Sequence, residues 1–524
     1  MTKPAAFGIL VLVAAVLLGS RVAAAPEPGA KCADGDACLN PDAPEACGIP
    51  ADLKEAEAPK VIDIPIAPDA PPLPMEDTLK ANWTGEYFPG FSAVKYEGPD
   101  SKNSLSFHYY NAEEEVMGKP MHEWLRFALA FWHTMRGDGS DPFGQPTKKW
   151  PWEDAALDQK MLAYRRMEAF FELATKLGIR YWCFHDRDIS PVGASLSETN
   201  LWLDQLTDHA AELQKSTGVK TLWGTADLFK HPRYMHGAAT SPNASVFAYA
   251  AAQVKKAMEV THKLGGENYV FWGGREGYHT LLNTNLTLEM DNLGRFMRMA
   301  SAWNKKNNYN LQLLLEPKPQ EPTKHQYDFD VATTTAFLLR NGLDKEFKLN
   351  LECNHATLAG HSCEHEAAMA SAFGVLGSLD ANTGDPQVGW DTDQFLTDAK
   401  TATLVMEVIL KQGGLAPGGI NFDAKLRRES ISLEDLFYGH ISGMDAMARG
   451  LRNAARMIEE GELDKMRRER YSSYFDDRIG RDIVDERADF RQLEAHAMSQ
   501  YDPGLNITSG QAELYDLWLA HYLR

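Results

Sequence analysis

Short apolar runs alternate along the middle of the chain with longer stretches in which apolar residues recur at helical spacing. The strand-like runs are Phe127–Trp132, Ile179–Phe184, Lys220–Trp223, Tyr269–Trp272, Leu311–Leu315, Phe347–Leu351, Gly377–Leu379 and Ile420–Phe422. Helical spacing is clearest in Ala155–Leu177, Ser245–Leu264 and Thr287–Asn304. A strand and a helix repeated eight times predict an α/β protein with a (β/α)8 TIM barrel. A doubly wound open sheet is the alternative, but we see no Gly-rich fingerprint after the first run.

The N-terminal part of the chain differs from this middle part. Lys3, the apolar run Phe7–Leu18 and the small residues that follow predict a signal or targeting segment over residues 1–25. Because the run is short for a bilayer span, we expect cleavage and entry into the secretory pathway, ending in secretion or in an endomembrane lumen. An uncleaved membrane anchor is the alternative. Residues 26–80 are rich in Pro, Ala and acids and predict an extended, poorly ordered leader.

Charged, helix-forming sequence without strand signals fills the C-terminal part of the chain. We assign residues 81–430 to the barrel and residues 431–524 to a C-terminal helical extension. Helices that follow a closed barrel have no evident core of their own. The extension is therefore predicted to serve oligomerisation.

The formal net charge of −20 argues against a nucleic-acid partner, because phosphate binding depends on Lys and Arg side chains. Cys32, Cys38 and Cys47 follow the signal segment, where one disulfide could form and one thiol would remain. The later cysteines are predicted to be buried apolar residues and not ligands, since hard cations prefer oxygen. They are Cys183, Cys353 and Cys363. Sequons for N-glycosylation begin at Asn82, Asn243, Asn285 and Asn506.

Acidic residues end or closely follow several of the strand-like runs. An acid at the end of a buried strand is costly unless a cation meets it, and four such strands in succession predict a ring of strand ends around shared cations. A cap or a surface salt bridge explains one such acid, but it does not explain the whole set. With one nearby histidine and two loop acids, the set is Glu316, Glu352, His355, Asp380, Asp391, Asp393 and Asp423.

Two further polar positions fall on the same predicted face of the barrel. His185 follows the second run, and Asp188 is close enough to hold one ring nitrogen, which leaves the other for acid or base catalysis. Lys318 lies between two prolines just after Glu316 and is placed to bind a carbonyl or alkoxide oxygen. A structural histidine and a counter-ion lysine are the alternative interpretations.

Aromatic residues and one competing motif complete the pattern. Trp132 and Trp272 end the first and fourth runs and suit the apolar face of a sugar, whereas Trp223 is assigned to the barrel core. The segment His361–His365 fits the H-x-x-E-H pattern of one class of zinc peptidases. We interpret it as a chance match on a helix, because the pattern leaves the acids unexplained.

Longer motifs resemble the xylose isomerases of class II, in particular the plant-type branch with an N-terminal targeting segment. The resemblance covers roughly Glu86 to the C-terminus. The motifs that carry it are Arg126–Phe127, Trp132–Thr134, Asp141–Gly144, Phe184–Asp188, Leu222–Ala226, Tyr269–Gly277, Glu316–Pro322, Glu352–Ala356, Gly389–Asp393 and Asn421–Lys425.

The resemblance implies an aldose–ketose isomerase that converts D-xylose to D-xylulose, and also D-glucose to D-fructose. Ring opening would be followed by a metal-assisted 1,2-hydride shift. Two divalent ions per subunit are implied, Mg²⁺ first, with Mn²⁺ or Co²⁺ as alternatives. A homotetramer, or at least a dimer, is also implied.

The resemblance further implies a role for each site residue. His185, steadied by Asp188, would assist ring opening, and Lys318 would bind the carbonyl oxygen. The first ion would be held by Glu316, Glu352, Asp380 and Asp423. The second would be held by Glu352, His355, Asp391 and Asp393. Substrate contacts would come from Trp132, Trp272, Thr225 and, across a subunit boundary, Phe143.

Three rival functions remain open on the sequence. A metal-dependent endonuclease fits the architecture, but the negative charge disfavours it. A sugar epimerase would need paired acids that are free to abstract a proton. A secreted sugar-binding protein is the non-enzymatic alternative, and it would not need His185, Lys318 and the acids of the second ion together.

Overall fold

The computed structural model describes residues 85–500 and 509–523. The predicted signal segment and leader lie outside the described residues, and so do the three early cysteines and the sequons at Asn82 and Asn506. Within the described ranges, no helix is both long enough and apolar enough to cross a membrane.

Eight parallel strands close into a barrel in which each strand hydrogen-bonds to its neighbours in chain order. They are β1 (Phe127–Ala130), β2 (Tyr181–His185), β3 (Lys220–Thr225), β4 (Asn268–Trp272), β5 (Gln312–Glu316), β6 (Phe347–Glu352), β7 (Leu376–Asp380) and β8 (Ile420–Phe422). Because β8 pairs with β1, the sheet has no open edge. Each predicted run overlaps one barrel strand, so the predicted (β/α)8 fold is confirmed.

A long helix follows every strand before the chain enters the next one. These helices are α1 (Gln159–Leu177), α2 (Leu196–Thr217), α3 (Ala244–Lys263), α4 (Leu286–Lys306), α5 (Val331–Arg340), α6 (Cys363–Ala372), α7 (Ala399–Gln412) and α8 (Leu433–Glu460). Shorter helices occupy Met121–Leu125, Phe131–Arg136, Asp186–Ile189 and Cys353–Leu358. The three helices predicted from apolar spacing are α1, α3 and α4, and their bounds agree to within a few residues.

The core has two layers because side chains alternate along each strand. In β1, Ala128 and Ala130 point into the barrel, whereas Phe127 and Leu129 pack between strands and helices. The small alanines leave room inside for Trp223, which is 1% exposed. The prediction that Trp223 belongs to the barrel core is confirmed.

The first strand is shorter than predicted. The predicted run extends to Trp132, but the strand ends at Ala130 and residues Phe131–Arg136 form a short helix. The chain turns at Phe131 because the strand has reached the carboxyl end of the barrel. Trp132 and His133 are thereby carried over the mouth of the barrel, where the Trp132 indole N–H donates a hydrogen bond to Asp423 Oδ1 at 2.8 Å.

Helix α8 lies within the region assigned from the sequence to the extension, but it packs on the barrel. It begins at a capping box formed by Ser432 and Asp435, and its apolar face is buried. A Cβ at Gly450 would lie 2.6 Å from the carbonyl carbon of Ala402 on α7, so only glycine permits this helix contact. Helix α8 therefore completes the ring of barrel helices.

The remaining helices form the C-terminal extension, whose role in oligomerisation stays a prediction. They are α9 (Glu462–Arg470), α10 (Ser472–Asp476), α11 (Arg478–Val484), α12 (Phe490–Ser499) and α13 (Ala512–Tyr522). Helix α13 is anchored by Tyr522, which is buried against Met457 and Leu463. Other apolar side chains of the extension face outward, among them Phe490 and Met498.

Cys353 and Cys363 are buried, as predicted, but the sequence did not indicate that they form a disulfide, whose Cα–Cα distance is 4.7 Å. The turn between the short helix Cys353–Leu358 and α6 folds the chain back and brings the two residues together. Cys183 is a free, buried cysteine, as predicted.

Candidate metal centre

The carboxyl ends of the barrel strands carry the predicted site residues. β2 ends at His185, β3 at Thr225 and β4 at Trp272. The next three strands each end at an acid, and Asp423 follows β8 directly. Parallel pairing places these ends at the same level, so that Glu352 is the register partner of Asp380, and Trp272 is the partner of Glu316. One face of a parallel barrel therefore receives all of these side chains.

The acids form two groups that share one member. In each group the ligand atoms lie within 4.8 Å of one another. The first group is Glu316, Glu352, Asp380 and Asp423. The second group is Glu352, Asp391 and Asp393. His355 Nε2 lies 3.1 Å from Glu352 Oε2 and 3.3 Å from Asp391 Oδ2, so it adjoins the second group.

The two loop acids reach the centre because the backbone turns between them. Asp393 has a positive φ of 44°, a conformation that Asp adopts more readily than most residues. Asp393 is buried, and Asn382 Nδ2 lies 3.5 Å from its Oδ1. The turn allows Asp391 and Asp393 to point towards the same space although only one residue separates them.

Burying this many carboxylates together is electrostatically unfavourable. Burial, reinforced by the neighbouring acids, holds the pKa of Glu316, Glu352 and Asp380 well above the usual carboxyl range. Divalent cations with oxygen ligands would relieve the repulsion, and a shared carboxylate such as Glu352 can hold two ions close together. The donor set, six carboxylates and one imidazole, fits two hard divalent ions.

Three cationic side chains also lie against the acids. Lys318 Nζ is 2.6 Å from Asp391 Oδ2, and Lys425 Nζ is 2.8 Å from Asp393 Oδ2. His133 Nε2 is 2.9 Å from Asp423 Oδ1 and 3.3 Å from Asp393 Oδ2. Although burial opposes the shift, these two aspartates raise the pKa of His133 to about 9. Lys318 likewise holds the pKa of Asp391 well below its usual range, against the effect of burial.

Buried asparagines fix the orientation of the carboxylates. Asn350 Nδ2 donates to Glu316 Oε2 at 2.9 Å and to Asp380 Oδ2 at 2.6 Å. Asn421 Nδ2 donates to the other oxygen of Asp380 at 2.8 Å. Sequence reasoning missed these residues, although they carry a signal. Each stands two positions before an acid, so strand alternation points both side chains into the barrel.

A third asparagine connects the two acid groups. Asn382 Nδ2 donates to Glu352 Oε1 at 2.7 Å and to the Asp423 carbonyl at 2.7 Å. Its side-chain oxygen accepts the N–H of Asn354 at 2.9 Å. Asn354 in turn donates to Asp391 Oδ1. Such contacts hold ligands in a fixed geometry and tune metal affinity in other metal sites.

His185 and Asp188 are brought together as the sequence predicted. His185 Nδ1 lies 2.9 Å from Asp188 Oδ2, and Lys230 Nζ lies 2.9 Å from Asp188 Oδ1. Although burial opposes the shift, Lys230 and His185 hold the pKa of Asp188 well below its usual range. An ionised Asp188 favours a proton on Nδ1 and leaves His185 Nε2 available for chemistry.

The cavity above the acids has a volume of about 750 Å³ and is lined in part by aromatic side chains. Trp132 lies with its ring 4.4 Å from that of His185, and Trp272 lies 5.1 Å below the Lys318 amine. The Thr225 hydroxyl donates to the Val270 carbonyl at 2.6 Å. Thirteen of the fourteen predicted site residues thus lie on one face of the barrel, and the fourteenth, Phe143, stands at the outer rim.

Phe143 is 79% exposed and touches the ring of Trp390 at a centroid distance of 5.4 Å. It lines the outer part of the same cavity. A phenyl ring left this exposed is available for contact with another molecule. The role predicted for Phe143, in the site of a neighbouring subunit, stays a prediction.

Replacing Asn350 by Ala is expected to weaken binding of a divalent ion by about 10- to 100-fold, because Glu316 and Asp380 lose the donor that orients both. Isothermal titration of the chelated protein with Mg²⁺ would measure the change. Asn283→Ala, at an exposed position, is the matched control and should bind as the parent protein does. Unchanged affinity in Asn350→Ala would contradict the orienting role.

Ion binding is expected to release protons and to weaken as the pH falls. Because the pKa values of Glu316, Glu352 and Asp380 are raised, these acids keep protons that carboxylates in water would have lost. A divalent ion must displace those protons when it binds. Calorimetric titration with Mg²⁺ between about pH 8 and about pH 5, in buffers of different ionisation enthalpy, counts the protons released. Glu316→Gln should release fewer. Binding without proton release near neutral pH would contradict the shared burial of these acids.

A family model and several proteins of known name match this chain in sequence. The family model of the XylA2 C-terminal domain matches residues 467–523, which lie in the helical extension. Over 441 residues the chain is 59% identical to a xylose isomerase of Hordeum vulgare, covering 84% of this chain and 91% of that protein. It is 59% identical over 436 residues to a xylose isomerase of Arabidopsis thaliana, covering 83% of this chain and 91% of that protein.

A bacterial relative shows the same extent of similarity at slightly lower identity. A xylose isomerase of Thermotoga neapolitana is 53% identical over 438 residues, which cover 84% of this chain and 98% of that protein. Identity at this level extends over more than four-fifths of this chain and nearly the whole of each relative. This chain therefore belongs to the xylose isomerase family.

Proposed function

We propose that the protein is a divalent-metal-dependent aldose–ketose isomerase that converts D-xylose to D-xylulose and also acts on D-glucose to give D-fructose. The main observation in support of the proposal is that the Glu352 carboxylate belongs to both acid groups. Both groups lie at the bottom of a cavity that is lined in part by aromatic side chains. Two neighbouring oxygens of an open-chain sugar match two ions held by one shared carboxylate. Membership of the family supports the same activity.

His185 acts on the ring form of the sugar. Its Nδ1 is occupied by Asp188, and its Nε2 is free to exchange a proton with a sugar oxygen during ring opening. Lys230 keeps Asp188 ionised and so fixes the tautomer of His185. Trp132 packs against the imidazole edge and limits the access of water to this point.

Lys318 acts on the open-chain form. It is 3% exposed, and Asp391 and Glu352 raise the pKa of its amine although burial opposes the shift, so the amine stays charged. A fixed ammonium group at this position stabilises negative charge on a substrate oxygen. When bound, two divalent ions, Mg²⁺ first and Mn²⁺ or Co²⁺ as alternatives, would polarise adjacent sugar oxygens and favour transfer of hydrogen from C2 to C1.

Replacing Lys318 by Met is expected to lower kcat for xylulose formation by at least about 100-fold, because the oxygen loses its charged donor. Chelation should abolish activity in the parent protein, and Mg²⁺ should restore it. Lys324→Met is the matched control, since Lys324 is exposed and lies in the same loop. Full activity in Lys318→Met, or after exhaustive chelation, would contradict the proposal.

The same assay separates isomerisation by hydride transfer from a proton route. In D₂O, transfer of hydride between the two carbons leaves C1 and C2 of the product free of solvent deuterium. Abstraction of a proton by an enzyme base would introduce deuterium at the accepting carbon. Deuterium incorporated at one atom per turnover would exclude the hydride route.

We propose that the active form is a homotetramer in which Phe143 reaches the cavity of a neighbouring subunit. Its exposed ring at the cavity rim supports this placement. Outward-facing apolar side chains of the extension, such as Phe490 and Met498, support burial of that region against other subunits.

We also propose that residues 1–25 direct the chain into the secretory pathway and are removed there, with an uncleaved membrane anchor as the less favoured outcome. The disulfide Cys353–Cys363 supports an oxidising compartment. The sequon residues Asn243 and Asn285 are both exposed and so are accessible to glycosylation.

A single preparation from a secreting eukaryotic host tests both proposals. We expect an N-terminus beyond the predicted signal segment and a molar mass by light scattering of about four chains. Expression of the same chain without residues 1–25 is the control for routing and should leave the assembly unchanged. An intact N-terminus would contradict cleavage, and a monomeric mass at working concentration would contradict the tetramer.

A further inference from the structure

A second cluster of metal-binding side chains lies outside the candidate metal centre, at the start of α6. One ligand atom from each of His361, His365 and Glu366 lies within 4.8 Å of the others. The sequence pattern H-x-x-E-H had drawn attention to this segment, but the carboxylate that joins the histidines is that of Glu366 and not that of Glu364.

Each carboxylate near the histidines uses one oxygen for the backbone and offers the other to the cluster. Glu366 Oε2 accepts the N–H of Val331 at 2.8 Å, whereas Oε1 lies 4.0 Å from His365 Nε2. Asp330 Oδ1 caps α5 by accepting the N–H of Thr333 at 2.7 Å, whereas Oδ2 lies 3.3 Å from His361 Nε2. Among the residues that the structure describes, these two carboxylates form their ion pairs with imidazoles.

The cluster is held in place by its surroundings. Ser362, between the histidines in sequence, caps α6 by accepting the N–H of His365. Cys363 is bonded to Cys353, so the turn that carries His361 is fixed at both ends. The two imidazole rings face each other at a centroid distance of 4.9 Å. Glu366 is buried, whereas His365 is exposed, which leaves an entry path for an ion.

The donor chemistry differs from that of the candidate metal centre. Two imidazoles and one carboxylate are ligands that suit Zn²⁺ and similar ions, whereas Mg²⁺ prefers sites in which most of the ligands are oxygen atoms. A four-coordinate zinc site with bonds of about 2.0–2.2 Å places its ligand atoms roughly 3.5 Å apart. In the structure the ligand atoms lie within 4.8 Å of one another, so binding of an ion would require the cluster to contract.

We propose that His361, His365 and Glu366 form a zinc site, with Asp330 positioning the His361 ring and a fourth position open to water. The ion would join the turn before α6 to the first turn of α6, and the contacts of Asp330 with His361 and of the Val331 N–H with Glu366 connect both to the N-terminus of α5. It would thereby stiffen the segment that continues from Glu352 and His355. The proposal does not depend on the isomerase activity, because it uses none of the residues assigned to that reaction.

The test measures Zn²⁺ retained by the purified full chain in the presence of saturating Mg²⁺, which occupies the oxygen-rich centre. The parent protein should retain one more Zn²⁺ per chain than the double variant His361→Asn/His365→Asn. The exposed single variant His365→Asn should bind the ion at least about tenfold more weakly. His279→Asn, at another exposed histidine, is the matched control and should bind as the parent protein does.

Thermal unfolding provides a second measurement on the same proteins. Zn²⁺ should raise the Tm of the parent protein and of His279→Asn, and it should not raise that of the double variant. Circular dichroism without zinc shows whether the variants are folded before they are compared. Equal zinc content, or an equal rise in Tm, in the parent protein and the double variant would overturn the proposal.

Discussion

The burial of negative charge at one end of the barrel is the constraint on which the site depends. Four consecutive strands deliver an acid to the same level, and the low dielectric of the interior magnifies their repulsion. Raised carboxyl pKa values at Glu316, Glu352 and Asp380 express that repulsion. Two divalent ions would remove the repulsion between the acids. Lys318, Lys425 and His133 offset the repulsion only in part, because each contacts the acids from the edge of the cluster.

The alternation of side chains along the barrel strands determines how the acids are oriented. A residue two positions from a ligand faces the same way, so a strand that supplies an acid can also supply the amide that orients a neighbouring acid. Asn350 on β6 holds Glu316 and Asp380, which belong to β5 and β7. These two ligands are therefore each positioned by an adjacent strand, and a closed sheet allows little independent movement of the strands.

Much of this arrangement could be predicted from the sequence. Strands buried on both faces leave continuous apolar runs, and an acid at the end of such a run is informative because it is costly there. The runs that predict β7 and β8, Gly377–Leu379 and Ile420–Phe422, are short, and each is a weak signal on its own. The polar helpers Asn350 and Asn382 were missed, since a single buried amide gives no signal until its partners are known.

Other features depend on tertiary structure and have no local signature. The pairing of Cys353 with Cys363 requires knowledge that the chain reverses between them. The helix at Phe131–Arg136 includes the last two residues of the predicted run, because the first barrel strand ends at Ala130. The apolar pattern continues past Ala130 and does not show where the strand ends. The position of His133 against Asp423 and Asp393 follows from that turn, so it too lay beyond sequence reasoning.

The segment from Glu352 to Glu366 shows how one short stretch of chain serves two different donor chemistries. Glu352 and His355 belong to the oxygen-rich centre, whereas His361, His365 and Glu366 form a second cluster in which Glu366 is buried and His365 is exposed. Ligand type separates the two, since a hard ion gains little from paired imidazoles and a borderline ion gains much. The disulfide joins the first and last parts of the segment. Cys353 directly follows Glu352, and Cys363 lies between His361 and His365, so a covalent bond links the two clusters.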